Sequence, residues 1–273
     1  MFFSSLGKTF SLNNETLIMG ILNVTPDSFS DGGSYNSIDL AFEHAKSLIS
    51  QGAHIIDIGG QSTRPGHEEV TLEVELNRVI PVIEKISKEL DCIISIDTYR
   101  YEVAEAALKA GAHIINDVWG LQRDSGEMAK VAAKYNCVVI AMHNQNSKFY
   151  EEDIILSMKK FFKKTFEIAE SNGLDTNKII IDPGIGFGKG YEENIEVLNR
   201  LHEISFIAPI LLGVSKKGFI GKDLNLSPQE RVEGTIAVNT LGVLNGAKII
   251  RVHDVLEHKK ALSIADKIIY FKK

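Results

Sequence analysis

Cysteine is scarce: only Cys92 and Cys137 occur in 273 residues. They form no C-x-x-C pair, and no H-E-x-x-H occurs, which argues against a structural or catalytic zinc site. Each cysteine opens an apolar run, CIISID and CVVIAMH. That is the position of a free buried thiol in a reducing compartment. Long hydrophobic runs are also missing. Nothing approaches the roughly 18 apolar residues of a membrane span, and MFFSSLGKTF at the N-terminus lacks the cationic segment and apolar core of a secretion signal. A cytoplasmic protein is expected. A positive balance is absent too: the formal net charge is −6 and the pI about 5.8, so no global field attracts nucleic acid. Any anion site must be local. The usual nucleotide loops are lacking as well. In DPGIGFGKG (182–190), Lys189 occupies the place where G-x-G-x-x-G needs its last glycine, and the spacing from Gly184 to Gly188 is one residue short of a Walker A loop. The glycines there suit close approach of backbone to a flat ligand, with Phe187 as an apolar wall.

What the chain does contain is a recurring pattern. Short Ile/Val/Leu runs appear at 17–24, 54–60, 92–97, 113–117, 137–143, 178–182, 209–215 and 248–253. Near-continuous runs of this kind suit parallel strands buried on both faces. Longer amphipathic segments separate them, and Gly52, Gly111, Gly173 and Gly246 stand at helix C′ positions just before the next strand. Eight strands alternating with eight helices, in a chain close to the roughly 250 residues typical of that fold, predict an α/β protein with a (β/α)₈ TIM barrel. The first ten or so residues fall outside the alternation and are expected to form a short N-terminal hairpin under the barrel floor. No Pro/Ser-rich linker divides the chain, so one domain spanning 1–273 is expected. Lys159, Lys160, Lys163 and Lys164 alternate with Phe161, Phe162 and Phe166, which reads as a solvated basic face over a buried aromatic stripe.

In such a barrel chemistry sits at the C-terminal ends of the strands. Taken in order, those ends are Asn23, Asp57, Asp97, Asn116 with Asp117, His143, Asp182, Ser215 followed by Lys216 and Lys217, and Arg251 with His253. The strand starts are duller, and His54 and His113 read as floor residues. Asp97, Asn116 and Asp182 can present acceptors to a heterocycle bearing several N–H donors. Asn23, Arg64, Arg251 and His253 lie on neighbouring strands and suit phosphate oxygens. The N-terminus of the last helix adds backbone donors. The connections at 25–36 and 61–70 exceed the usual 2–6 residues of a strand-to-helix loop and suit lids.

The motifs LNVTPDSFSDGG (22–33), DIGGQSTRPG (57–66), SIDTYR (95–100), IINDV (114–118), DPGIGFGK (182–189), GVSKKGFIG (213–221) and RVHDV (251–255) resemble bacterial dihydropteroate synthases, in the family's order and across nearly the whole chain. The resemblance implies a cytoplasmic transferase of folate biosynthesis. Such an enzyme condenses 6-hydroxymethyl-7,8-dihydropterin pyrophosphate with p-aminobenzoate, giving 7,8-dihydropteroate and pyrophosphate with Mg²⁺ assisting. It implies that Asp97, Asn116, Asp182 and Lys217 hold the pterin, and that Asn23, Thr63, Arg64, Arg251 and His253 hold the pyrophosphate, with Asn23 also on the metal. Phe29, Pro65, Phe187 and Ser215 would surround the p-aminobenzoate. Asp97, Lys217 and Asn23 are the expected catalytic residues, in an SN1-like transfer. Small-molecule substrates, sulfonamide sensitivity and a homodimer joined through the last helices are implied as well; nucleic acid and membrane partners are not.

The chain departs from the family pattern in places. The segment after the seventh run more often reads S-R-K-S; here it is Ser215, Lys216, Lys217 and Gly218. Lys216 keeps the charge without the planar guanidinium, and Gly218 lacks a hydroxyl. Gln61 stands where the family often has Glu, and MHNQN replaces the commoner M-H-M-Q-G after the fifth run. Weaker p-aminobenzoate binding with intact pterin binding is expected. Two alternatives remain: a non-catalytic pterin-binding homologue, and a pterin-dependent corrinoid methyltransferase, which would have no use for a diphosphate site.

Overall fold

A computed structural model describes residues 1–25, 34–61 and 69–271, with 34–36 described by backbone alone. The chain begins with an antiparallel hairpin, β1 (Phe2–Ser5) and β2 (Lys8–Ser11). The barrel strands follow: β3 (Leu17–Asn23), β4 (Ile55–Gly59), β5 (Ile93–Asp97), β6 (Ile114–Asp117), β7 (Val138–Met142), β8 (Ile179–Asp182), β9 (Ile210–Leu212) and β10 (Ala247–Val252). All eight pair in parallel, and β10 closes on β3, so among the described residues the barrel itself has no open strand edge. Each expected apolar run has become one barrel strand. Around them lie α1 (Ser34–Ser50), α2 (Leu72–Glu89), α3 (Tyr101–Ala110), α4 (Glu127–Tyr135), α5 (Ile154–Ser171), α6 (Tyr191–Asn199), the short α7 (Gly218–Gly221), α8 (Val232–Leu244) and α9 (Val255–Ile269).

Local chemistry sets these bounds. The Thr71 hydroxyl accepts from Val74 N at the start of α2, and Asp153 accepts from Leu156 N at the start of α5. Gly52, Gly111, Gly173 and Gly246 all adopt positive φ at the turns that end helices, as their positions predict. On α5 Phe162 is fully buried while Lys160, Lys163 and Lys164 are exposed, which is the expected basic face over an aromatic stripe. No helix among the described residues is long and apolar enough to cross a membrane.

Strand alternation divides the core in two. One set, including Ile18, Leu22, Ile56, Ile58, Ile94 and Ile96, packs outward against the helices. The other, Leu17, Met19, Ile55, Ile114, Val138, Ile140, Ile180, Leu211 and Ile249, fills the lower barrel together with Phe3, Phe10 and Leu12 from the N-terminal segment. The hairpin therefore plugs the floor, where Phe3 stacks on Phe10 with centroids 5.2 Å apart.

Floor polar groups are satisfied locally. His54 Nδ1 accepts from Ile18 N at 2.9 Å and His113 Nδ1 from Ile94 N at 3.1 Å, so both histidines are structural. Ser5 Oγ donates to the His113 carbonyl and accepts from Val138 N, tying the hairpin to two strands. Ser5→Ala leaves that buried amide and carbonyl short of a partner and is expected to cost about 1–3 kcal/mol of stability. Denaturant melts should show this loss with steady-state turnover unchanged, because the floor lies at the opposite end from the strand C-termini.

Candidate functional site at the barrel mouth

Following the inward-facing positions upward on each strand gives the site directly. On β3, Leu17 and Met19 point into the barrel, and the same alternation carries Asn23 to the mouth. On β4 the series is Ile55, Asp57, Gly59; on β5 it is Ile93, Ser95, Asp97; on β6 it is Ile114, Asn116. On β8 it is Ile180, Asp182, and on β10 it is Ile249, Arg251, with His253 one step beyond. An apolar lower barrel thus gives way to a polar layer within one or two residues.

The centre of that layer is an ion cluster. Arg251 Nε donates to Asp57 Oδ2 at 2.5 Å, and Arg251 Nη2 donates to Asp97 Oδ2 at 2.6 Å. Asn116 Nδ2 donates to the same Asp57 oxygen at 3.1 Å. This bond fixes the amide so that the Asn116 carbonyl oxygen remains as an acceptor. Among the described residues, Asp57 Oδ1 and Asp97 Oδ1 are buried without a hydrogen-bond partner. Each is a vacant acceptor in a site built for donors. Burial pushes the Asp97 carboxyl up to about 7; Arg251 pulls it down and Asp57 adds to the rise. Burial opposes the Arg251 charge, but Asp57 and Asp97 hold the guanidinium above its ordinary range, so it stays charged. One positive charge therefore serves two buried carboxylates.

Asp182 sits across the mouth. Its Oδ1 accepts from Gly184 N at 2.7 Å, and burial raises its carboxyl above the usual range despite the attraction of Lys217. Gly213 and Gly59 keep the space above the strands clear. A Cβ at Gly213 would lie 3.7 Å from Asp182 Oδ2, and one at Gly59 would lie 3.8 Å from the Asn23 carboxamide oxygen. The Lys217 ammonium donates to the Ile185 carbonyl and lies 4.7 Å from the centre of the Phe187 ring. Ser215 Oγ lies 2.8 Å from His253 Nδ1 and accepts from His253 N. An apolar wall of Tyr99, Val118, Trp119, Met142 and Phe187 borders the same mouth.

The structure brings Asn23, Asp97, Asn116, Asp182, Phe187, Ser215, Lys217, Arg251 and His253 to one rim, as their positions predict. Phe29, Thr63, Arg64 and Pro65, with most of the two long connections, lie outside the described residues. Three placements go beyond the reading of the sequence. Arg251, grouped there with the phosphate-binding cations, lies across Asp57 and Asp97 in the carboxylate cluster. Asp117 turns outward, where its carboxylate accepts from Trp119 N and Leu121 N and caps a turn. Asp57 was noted at a strand end without a role, yet it is fully buried at the heart of the cluster. The period of two along Ile55, Asp57 and Gly59 was the signal that could have placed it. The Lys216 ammonium lies 2.8 Å from Asp254 Oδ1, at the start of α9. A surface hollow lined by Asn13, Asn14, Ile269, Tyr270 and Phe271 lies at the floor end and is no rival to the mouth.

The chain matches the family model described as "Pterin binding enzyme" over residues 19–253. Dihydropteroate synthase of Bacillus subtilis is 51% identical over 257 residues, covering 94% of this chain and 90% of that protein. The corresponding enzyme of Clostridium beijerinckii is 49% identical over 267 residues, covering 96% and 97%. Among solved structures, dihydropteroate synthase from Clostridium difficile in the presence of pteroic acid superposes with a TM-score of 0.93 at 54% identity, covering 97% of this chain and 100% of that one. The Xanthomonas albilineans enzyme with 4-aminobenzoic acid gives 0.92 at 37% identity, covering 98% and 97%.

Proposed function

The chain belongs to the dihydropteroate synthase family of pterin-binding transferases, and we propose that its barrel mouth joins 6-hydroxymethyl-7,8-dihydropterin pyrophosphate to p-aminobenzoate with loss of diphosphate. The observation that carries this reading is the cluster of Asp57, Asp97, Asn116 and Arg251 facing Asp182 across one rim. The carboxylates and the Asn116 carbonyl take up the N–H donors of the pterin edge, and Lys217 supplies a donor from the opposite side. The backbone N–H groups that open α9, with His253, Arg251 and Asn23, face the diphosphate; Thr63 and Arg64 complete that set. Phe187 and Ser215, with Phe29 and Pro65, enclose the aryl amine. One barrel domain spanning 1–273 is part of this proposal.

The mechanism follows from charge. Diphosphate leaves readily once cationic groups neutralise the charge it gathers. Its departure leaves a cation on the pterin methylene, conjugated into the reduced ring, and the Asp97 carboxylate lies where it stabilises that cation. The aryl amine then needs positioning more than deprotonation. Arg251 is drawn toward the diphosphate as it arrives, which exposes Asp57 and Asp97 to the ring.

Magnesium fits this scheme as an ion carried with the substrate. Asn23 offers one hard oxygen at the mouth, and the described residues contain no cluster of three or more potential acidic, His or Cys ligands. A single amide suits Mg²⁺, which is commonly held by few protein ligands plus phosphate oxygens. When bound, the ion would stabilise the departing diphosphate.

Two further properties complete the proposal. The protein works in the cytoplasm, in keeping with its free cysteines Cys92 and Cys137. It pairs as a homodimer through α8 and α9, where Leu241, Leu244, Ile264 and Ile268 are exposed.

The decisive assay couples released diphosphate to a colour reaction. Diphosphate must appear with the pterin substrate and Mg²⁺ and depend on p-aminobenzoate. Binding of the pterin without any release would favour the non-catalytic homologue instead. A methyl transfer with no diphosphate requirement would favour the corrinoid-linked alternative.

The Asp97 titration gives a pH prediction. The carboxylate is the active form, and its free-enzyme midpoint near 7 means protonation removes it on the acid side. The kcat/KM for the pterin substrate is expected to rise about tenfold per pH unit below the midpoint and to level off above it. A profile flat from pH 5 to 8 contradicts this.

Gly218, which lacks a hydroxyl, predicts weak aryl-amine binding. A Cβ at Gly218 meets nothing within 4 Å, so a serine side chain has room there. Gly218→Ser is expected to tighten p-aminobenzoate several-fold, the scale of one hydrogen bond, leaving pterin affinity unchanged. Calorimetric titration of both ligands checks this.

A further inference from the structure

We propose that Lys189 is a positioning residue that holds the 183–190 loop in place and, through that loop, sets Phe187 and Lys217 against the two substrates. The inference rests on the function proposed above. Lys189 is only 3% exposed, although it sits in a loop at the mouth. Its ammonium carries three hydrogens and meets three neutral acceptors: His143 Nδ1 at 2.9 Å, the Gly184 carbonyl at 3.1 Å and the Phe187 carbonyl at 3.1 Å. Among the described residues no salt bridge joins it. A buried ammonium is costly unless its donors are matched, and here all three are matched by groups that define the shape of one loop.

His143 is suited to its part. Burial first, and the neighbouring Lys189 second, hold its ring well below its ordinary pKa, so the imidazole is neutral and Nδ1 is free to accept. His143 is in turn fixed by its backbone N–H, which donates to the Asp182 carbonyl at 2.9 Å. Burial likewise lowers Lys189 to about 7, with Asp182 opposing the fall and Lys217 adding to it, so the three-donor grip is fully present below that pH.

The loop needs such an anchor because its backbone is tightly wound. Gly184, Gly186 and Gly188 all have positive φ, and a Cβ at Gly184 would lie 1.9 Å from the His143 carbonyl oxygen. Phe187 N donates to the Gly184 carbonyl at 3.0 Å, closing a turn whose two end carbonyls both point at Lys189. Lys217 grips the same turn by the Ile185 carbonyl and lies over the Phe187 ring. Two lysines therefore hold three carbonyls of one turn, Lys189 those of Gly184 and Phe187 and Lys217 that of Ile185. Lys217 reaches the substrates, and Lys189 holds the turn that Lys217 and Phe187 share.

The test is a double-mutant cycle with full-length protein, using Lys189→Met in the wild-type and Phe187→Ala backgrounds and reading KM for p-aminobenzoate and kcat separately. Methionine keeps the length and burial and removes the three donors. Lys189→Met is expected to raise KM for p-aminobenzoate about tenfold with a smaller change in kcat, and to change it less than twofold when Phe187 is already alanine. Lys189→Gln, whose amide offers two N–H donors to the two carbonyls, should recover most of the wild-type KM. An unchanged KM in Lys189→Met, or the same fold-change in both backgrounds, overturns the proposal. If Lys189→Met does not fold, the cycle is run with Lys189→Leu, which also removes the donors, and a change that persists without Phe187 overturns it in the same way. Wild-type protein that releases no diphosphate with p-aminobenzoate would instead overturn the proposed function, so the two failures are distinct.

Discussion

Asp97→Asn should lower kcat on the order of 10²–10³-fold while leaving the affinity for the pterin substrate within about tenfold, the range seen when one preorganised electrostatic contact to a transition state is lost. The substitution is nearly isosteric. Its carboxamide still offers an oxygen to the ring, and Arg251 keeps Asp57 as a partner at 2.5 Å. Ground-state binding and folding are therefore largely preserved. What disappears is the negative charge beside the pterin methylene at the moment diphosphate departs. That charge is effective because Asp97 is only 5% exposed, so water screens it little. Single-turnover measurements, with pterin affinity taken by calorimetry, separate the two quantities. A variant that turns over at the wild-type rate under saturation would remove Asp97 from the chemistry.

Arg251→Met should destabilise the fold by about 3–5 kcal/mol at pH 8, the cost of leaving buried charge without its partner. Asp57 and Asp97 both lean on the one guanidinium, and no other cation among the described residues forms a salt bridge with either. The sign of the pH dependence follows from linkage. Asp97 titrates higher in the folded protein than the roughly 3.9 of an unfolded chain. The folded state therefore holds that proton longer, and stability falls as pH rises from about 4 toward 7. Without Arg251 the carboxyl is pushed higher still, so the deficit of the variant grows with pH and shrinks in acid. The double variant Asp57→Asn with Arg251→Met should regain part of the loss, because one buried charge has gone. Denaturant melts at pH 5.5 and pH 8 check both statements; a deficit equal at the two pH values would count against them. Turnover should fall as well, since the same guanidinium is to meet the diphosphate.

Much of this architecture was legible in the residues. The eight apolar runs became the eight barrel strands because a parallel strand buried on both faces tolerates little else. The hairpin under the floor was visible as a break in the alternation, and Phe3 and Phe10 fill the barrel bottom as that position requires. Strand ends placed Asn23, Asp97, Asn116, Asp182 and Arg251 at one mouth. Three features escaped because they depend on direction or on contacts distant in sequence. Asp117 follows Asn116 directly, so the pleat sends it to the opposite face, where it caps a turn. Arg251 lies on the carboxylates because two buried acidic groups leave a nearby guanidinium no better place. Lys189 folds back onto His143, 46 residues earlier in the chain, and no local pattern announces such a pairing. The Lys216 side chain, expected to bear on the aryl-amine site, is turned to Asp254 by a backbone with φ of +56°.

The claim on which the mechanism turns is that the methylene–oxygen bond breaks before the aryl amine bonds, with Asp97 beside the resulting cation. The most direct measurement is the secondary deuterium isotope effect at that methylene, read on kcat/KM for the pterin substrate with dideuterated and unlabelled material. The account predicts a normal effect well above unity that stays the same as p-aminobenzoate is replaced by more and less nucleophilic aryl amines. An effect near unity with a rate that climbs with amine nucleophilicity would show a concerted displacement and contradict it.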